Sequence, residues 1–152
     1  MEVSDSHDFS SRYLENLLQG NRRNCSAIAK QYLGQNPSFL QLYEEVFKVA
    51  LYEVGRLWET NQLSVATEHM ATAITEGILN KHFEQIISKN RLNRKMVVAC
   101  VENEKHQVGV KMVADTFEMH GWESFFLGTG MPQRLLGLDI PFGLFQKSGR
   151  QG

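Results

Sequence analysis

Hydrophobic positions in the first ninety residues recur at helical spacing. Phe9, Tyr13, Leu14, Leu17 and Leu18 share one face of a predicted first helix, capped by Asp8 and stopped by Gly20-Asn21. A short second helix carries Ala27, Ile28, Tyr32 and Leu33 and ends at Gly34. Asn36-Pro37 reads as the start of a third, an N-cap followed by proline at the first helical position. That helix repeats by threes and fours through Phe39, Tyr43, Val46, Phe47, Ala50, Val54 and Leu57. After a loop at Glu59 to Leu63, Ser64 opens a fourth, with Ala66, Met70, Ala73, Ile74, Gly77 and Ile78 along one side, then Phe83 and Ile86. Short connections between four such helices predict an antiparallel bundle.

Near residue 90 the period changes. Lys89 to Lys95 reads as a polar, basic linker, followed by the continuous apolar run Met96 to Val101. Such a run is typical of a strand buried in a parallel sheet. Val108 to His120 is predicted helical, with Val110, Val113, Ala114 and Phe117 on one side and Gly121 as terminator. Trp122 to Leu127 reads as a second strand, completing a βαβ unit. The expected fold class is therefore α plus α/β. A four-helix bundle over residues 1–90 precedes a partial Rossmann-like unit over 91–152, with an irregular tail from about 133.

Composition narrows the function classes. Sixteen basic and seventeen acidic residues in 152 leave a formal charge of −1, so there is no basic excess and no helix-turn-helix or zinc-finger pattern to ask for direct nucleic-acid binding. Cys25 and Cys100 sit in apolar contexts and suit a reducing compartment. The polar start and the lack of a spanning apolar run predict a cytoplasmic location without membrane attachment.

Two places carry chemistry. The loop Glu102 to Gly109 follows the first strand, where ligands bind in open α/β sheets. His106 there can reach a metal, Glu104 two residues earlier can accept its second ring proton, and Gly109 lets a ligand approach the backbone. On these residues alone, a solvated loop with an incidental histidine is the better reading. The second place is Trp58, followed after nine residues by Glu68-His69. An indole offers a broad face for a planar ligand, but alone it reads better as core closure, and Glu68 as a complement to the helix dipole.

Together, the Trp-x9-Glu-His spacing, the strand-borne Glu-x-His-x-x-Gly and the bundle-then-βαβ order resemble the cobalamin-binding proteins in which a four-helix cap precedes a Rossmann-like domain. The segments Tyr52 to Glu59, Ser64 to Ala66 and Glu68 to Ala73, and the Leu127-Gly128…Met131-Pro132 turn, carry the resemblance. It implies His106 as lower axial cobalt ligand in place of the cofactor's own base, with Glu104 orienting it and Gly109 passing the nucleotide tail. It also implies Trp58, Glu68 and His69 over the upper face. The methyl-carrier branch usually has aspartate where Glu104 stands, so the sequence looks more like the cobalamin-dependent photoreceptor regulators. That implies adenosylcobalamin rather than methylcobalamin.

The resemblance ends near residue 132. A truncated or frame-altered member is therefore expected, with sheet edges uncovered, low stability and weakened cofactor affinity in the second unit. The functional expectation is a cobalamin-binding sensory or regulatory module that is not an enzyme, with room for a homo-oligomer or a separate regulatory partner. The alternatives are a corrinoid methyl carrier serving methyltransferases and a cofactor-free helical interaction module.

Overall fold

A computed structural model describes residues 2–100 and 107–130. The chain divides into two compact units, the first ending at Ile86 and the second beginning at Ile87.

The first unit is helical: α1 (Glu2–Leu18), α2 (Arg22–Gln35), α3 (Phe39–Gln41) continuing without a break through a π-helical segment (Leu42–Phe47) into α4 (Lys48–Glu59), and α5 (Val65–Ile86). Asp8 does not cap α1 but lies inside it, on an i,i+4 pair with Arg12. The preceding polar residues continue the helix without an apolar period to betray it. Gly20 ends the turn after α1 with φ of 69°, a conformation that favours glycine, and Asn21 then caps α2 by accepting from Asn24 N–H. The start signal at Asn36-Pro37 is displaced by two residues. Asn36 closes α2, its N–H donating to Tyr32 O, and the extended Ser38 is the N-cap, its hydroxyl accepting from Gln41 N–H.

The core of this unit gathers Tyr13, Leu17, Tyr43, Val46, Phe47 and Leu79, all essentially inaccessible to solvent. Burial of each such side chain contributes roughly 1.5–3 kcal/mol. Tyr13 and Phe47 rings lie 4.9 Å apart, and the Tyr13 hydroxyl, far from water, pairs with Thr75 Oγ1 at 3.0 Å. The π-helical turn was not legible in the 3.6-residue period. Its wider winding sets Leu42, Tyr43, Val46 and Phe47 all inward, so Leu42 joins the core while Leu57 is only half-buried.

The larger correction concerns α5. Its buried face is Glu68, Ala71, Thr75, Ile78, Leu79, His82 and Ile86. Of the expected stripe, Ala66, Met70, Ala73 and Gly77 are exposed. This helix is apolar around much of its circumference, so periodicity could not choose the inward side. Packing against α1, α2 and α4 did.

The second unit is β1 (Lys95–Val98), α6 (Gln107–Met119) and β2 (Glu123–Phe126). The two strands pair in parallel with Lys95 opposite Glu123 and Val98 opposite Phe126. Leu127 N–H to Val98 O and Cys100 N–H to Gly128 O extend the ladder. The basic stretch before β1 is no idle linker. Arg91 donates to Glu118 at 2.9 Å and to Trp122 O at 2.8 Å, Leu92 N–H bonds Gly121 O, and Arg94 lies over the Trp122 ring. Gly121 has φ of 89°, and a Cβ there would stand 2.3 Å from Asn90 O, so only glycine fits. On α6 the buried positions are Val108, Lys111, Ala114, Asp115 and Glu118, whereas Val113 is half exposed. Of the expected face, Ala114 is buried and Val110 and Phe117 are half-buried, while Val113 turns outward, and polar residues beside it are buried in pairs: Lys111 with Asp115, and Glu118 with Arg91 and Ser124.

Candidate functional site

Three of the singled-out residues flank the α4–α5 loop. Trp58 stands in the last turn of α4 and is 39% exposed. The loop behind it is built firmly. Thr60 N–H donates to Arg56 O, Leu57 O accepts from both Gln62 and Leu63 N–H, and Asn61 takes a left-handed φ of 57°. Ser64 then caps α5, its hydroxyl accepting from Thr67 N–H at 3.1 Å. Such a loop holds the ends of two packed helices in a defined position.

Glu68 lies in the first turn of α5 with its carboxylate almost wholly buried, and Oε2 accepts from His69 Nδ1 at 2.8 Å. Oε1 accepts from the Thr72 hydroxyl at 3.0 Å. The His69 side chain itself is 60% exposed. An ionised carboxylate can only accept, so in the neutral imidazole the proton sits on Nδ1 and Nε2 keeps its lone pair as an acceptor. The pair therefore presents an oriented, accessible imidazole on a buried anchor. Core closure does not describe Trp58, and a dipole complement alone does not describe Glu68.

Val65, at the first position of α5, is 54% exposed and was not singled out from the sequence. Its signal was an apolar residue directly after an N-cap, where no core contact is required. With Trp58 it gives this end of the helical unit an apolar surface suited to a broad, flat ligand.

In the second unit, Gly109 lies in the first turn of α6, and a Cβ added there would meet nothing within 4 Å. Among the described residues, packing therefore does not demand glycine there. Glu104 and His106 lie outside the described residues. The described residues resume at Gln107, where α6 begins. Among the described residues, the structure brings Glu68 and His69 into direct contact and places Trp58 at the facing end of the same loop.

Residues 10–81 match the family model of the B12 binding domain. That segment belongs to the B12 binding domain family. It spans the helical unit from α1 into α5 and includes Trp58, Glu68 and His69. The HTH-type transcriptional repressor CarH of Myxococcus xanthus is 28% identical over 103 residues, covering 66% of this chain and 33% of that protein. In fold, the chain resembles the Methanosarcina barkeri monomethylamine corrinoid protein. The TM-score is 0.68 at 15% identity, over 82% of this chain and 59% of the other. A chain of the methanol:cobalamin methyltransferase complex MtaBC from Methanosarcina barkeri also matches. There the TM-score is 0.52 at 13% identity, over 85% of this chain and 50% of that one. The chain thus spans about a third of the length of its curated relative. The chain's α plus α/β class agrees with the corrinoid-protein fold.

Proposed function

We propose that this chain binds cobalamin and serves as a sensory or regulatory module, with the corrinoid held base-off on His106. The observation that carries the reading is the buried Glu68 holding an exposed His69 beside an exposed Trp58, within a segment of the B12 binding domain family. In this reading His106 would hold the cobalt through a ring nitrogen, Glu104 would orient that ring, and Gly109 would leave room for the cofactor's nucleotide tail. Trp58 would cover the corrinoid, and Glu68, by fixing His69, would leave Nε2 free to address it. Bound adenosylcobalamin would supply a cobalt–carbon bond that light can cleave. The resemblance of 66% of the chain to a transcriptional repressor supports a regulatory role over a catalytic one. The module would act through a homo-oligomer or a separate partner, in the cytoplasm. No described helix is long and apolar enough to cross a membrane.

The test is absorbance of the purified chain after incubation with adenosylcobalamin. Cobalamin comigrating on gel filtration with a base-off, His-on spectrum supports the reading, and its absence overturns it. His106→Ala abolishes the His-on spectrum if that residue is the ligand. Illumination shifts the spectrum of the complex if the module is a light sensor. The corrinoid methyl-carrier reading draws on the likeness in fold to corrinoid proteins. It predicts instead that the bound cofactor cycles between reduced and methylated forms with a methyltransferase.

A further inference from the structure

The outward side of α5 is the least explained surface of the helical unit. Met70, Ala73, Ile74 and Gly77 form an apolar floor, and with α2 they bound an open groove of about 620 Å³. Met70 anchors one end, its Sδ lying 2.6 Å from where a Cβ on Gly20 would stand. A helix apolar on both sides is expected to bury both, and α5 buries one of them within this unit.

The rim is cationic. Arg22, Arg23 and Lys81 line the groove and no acidic residue does. Lys81 reaches the Ser26 hydroxyl at 3.4 Å. Among the described residues, none of the three cations pairs with a carboxylate. Arg22 and Arg23 moreover occupy the first turn of α2, which holds no acidic residue. Positive charge there opposes the helix dipole and costs stability. The arginines are therefore placed against the interest of their own helix, on the edge of an apolar trough.

We propose that the α2–α5 groove is a docking site for an amphipathic α-helix of a partner protein whose apolar stripe is flanked by acidic residues. A trough between two helices matches the ridges of a third, and a helix brings its backbone hydrogen bonds already satisfied, which an extended peptide would not. Its apolar side chains at i, i+3, i+4 and i+7 would cover Met70, Ile74 and Gly77. Flanking carboxylates would meet Arg22, Arg23 and Lys81. A nucleic acid would satisfy the cations but gain nothing from the floor. The inference is independent of cobalamin binding.

The test uses the full chain and labelled synthetic helical peptides, followed by fluorescence anisotropy with and without cobalamin. One peptide carries a leucine stripe flanked by glutamates, a second has lysines for the glutamates, and a third has the acidic sequence scrambled. Saturable binding of the first alone is expected. It should weaken by about tenfold or more in an Arg22→Glu/Arg23→Glu variant, as expected when attractive charge is replaced by repulsion. It should also be lost in Gly77→Arg, which fills the floor. These positions are exposed, and helical circular dichroism checks that each variant folds. Equal binding of the scrambled peptide or unchanged affinity in both variants overturns the proposal. So does no binding at all. A dimer dissolved by the same substitutions, seen in sedimentation, would assign the groove to a second copy and equally overturn it, as would tighter competition by duplex DNA.

Discussion

The two units differ in which interactions dominate their cores. In the helical unit the core is aromatic and aliphatic, and one of its buried hydroxyls, that of Tyr13, pairs with Thr75. In the βαβ unit the strands are short and only partly covered, and the turn between α6 and β2 is held by a buried carboxylate. Glu118 there gathers Arg91 at 2.9 Å, Ser124 N–H at 2.6 Å and the Ser124 hydroxyl at 3.1 Å. The contrast teaches that the first unit rests on non-directional packing and the second on directional contacts between neighbouring loops. The first should tolerate polar changes at its surface and fail on cavities, and the second the reverse.

Phe47→Ala tests the packing side most severely. It removes a fully buried ring stacked near Tyr13 and Tyr43 and should cost about 3–5 kcal/mol, read as a lowered denaturation midpoint of the helical circular dichroism signal. Glu118→Ala tests the other side. Loss of a buried acceptor that takes the carboxylate partner from Arg91 and leaves Ser124 N–H unpaired should cost about 2–3 kcal/mol. Hydrogen exchange should then rise in α6 and β2 while α1 and α4 keep their protection. If protection falls equally in both units, the contrast is wrong. Gly121→Ala forces a Cβ against Asn90 O and should cost about 1–3 kcal/mol for the left-handed strain, again confined to exchange in the second unit. Tyr13→Phe sharpens the first. Thr75 keeps its bond to Ala71 O, so the loss should be near 1 kcal/mol.

The smallest effect is set by pH. His82 is buried against Phe39, its Nε2 has no hydrogen-bond partner among the described residues, and burial holds its pKa below the usual histidine value, with Lys81 and Lys30 adding to the depression. The unfolded chain then binds more protons than the folded one as pH falls. Stability is therefore fully present above the ordinary value near 6.5 and declines as the pH drops below it toward the folded pKa. Denaturant midpoints measured from pH 7.5 downward should show this slope, and His82→Leu should flatten it.

Residue by residue, the reach of sequence reading had physical boundaries. Caps and stops were legible where a single residue must do the work, as at Gly20 and Gly121, whose left-handed φ values few other residues tolerate. The period of Tyr43, Val46, Phe47, Ala50 and Val54 placed them correctly inside. Trp58, Glu68 and His69 were found as a spacing. Their arrangement, a buried carboxylate carrying an exposed imidazole, needed coordinates, since burial depends on what packs against a helix. Val65 was legible only as part of the Ser64 to Ala66 segment, since its exposure depends on what packs against the start of α5.

What the amino-acid order determined by itself was local. It set helix or strand from period and β-branching, where each rod stops, and which residue types with metal- or ring-binding chemistry stand at which spacing. The tertiary structure alone decided orientation. The apolar circumference of α5 left both of its sides eligible for the core, and contact with α1, α2 and α4 chose the one bearing Glu68, Thr75 and His82. The stripe through Met70, Ala73 and Gly77 was thereby turned outward. The same holds for α6, where Lys111, Asp115 and Glu118 could be buried only because partners distant in sequence or across a helical turn met their charge. Composition cannot foresee such pairings, because the free energy of burying a charge depends on a neighbour that the fold supplies.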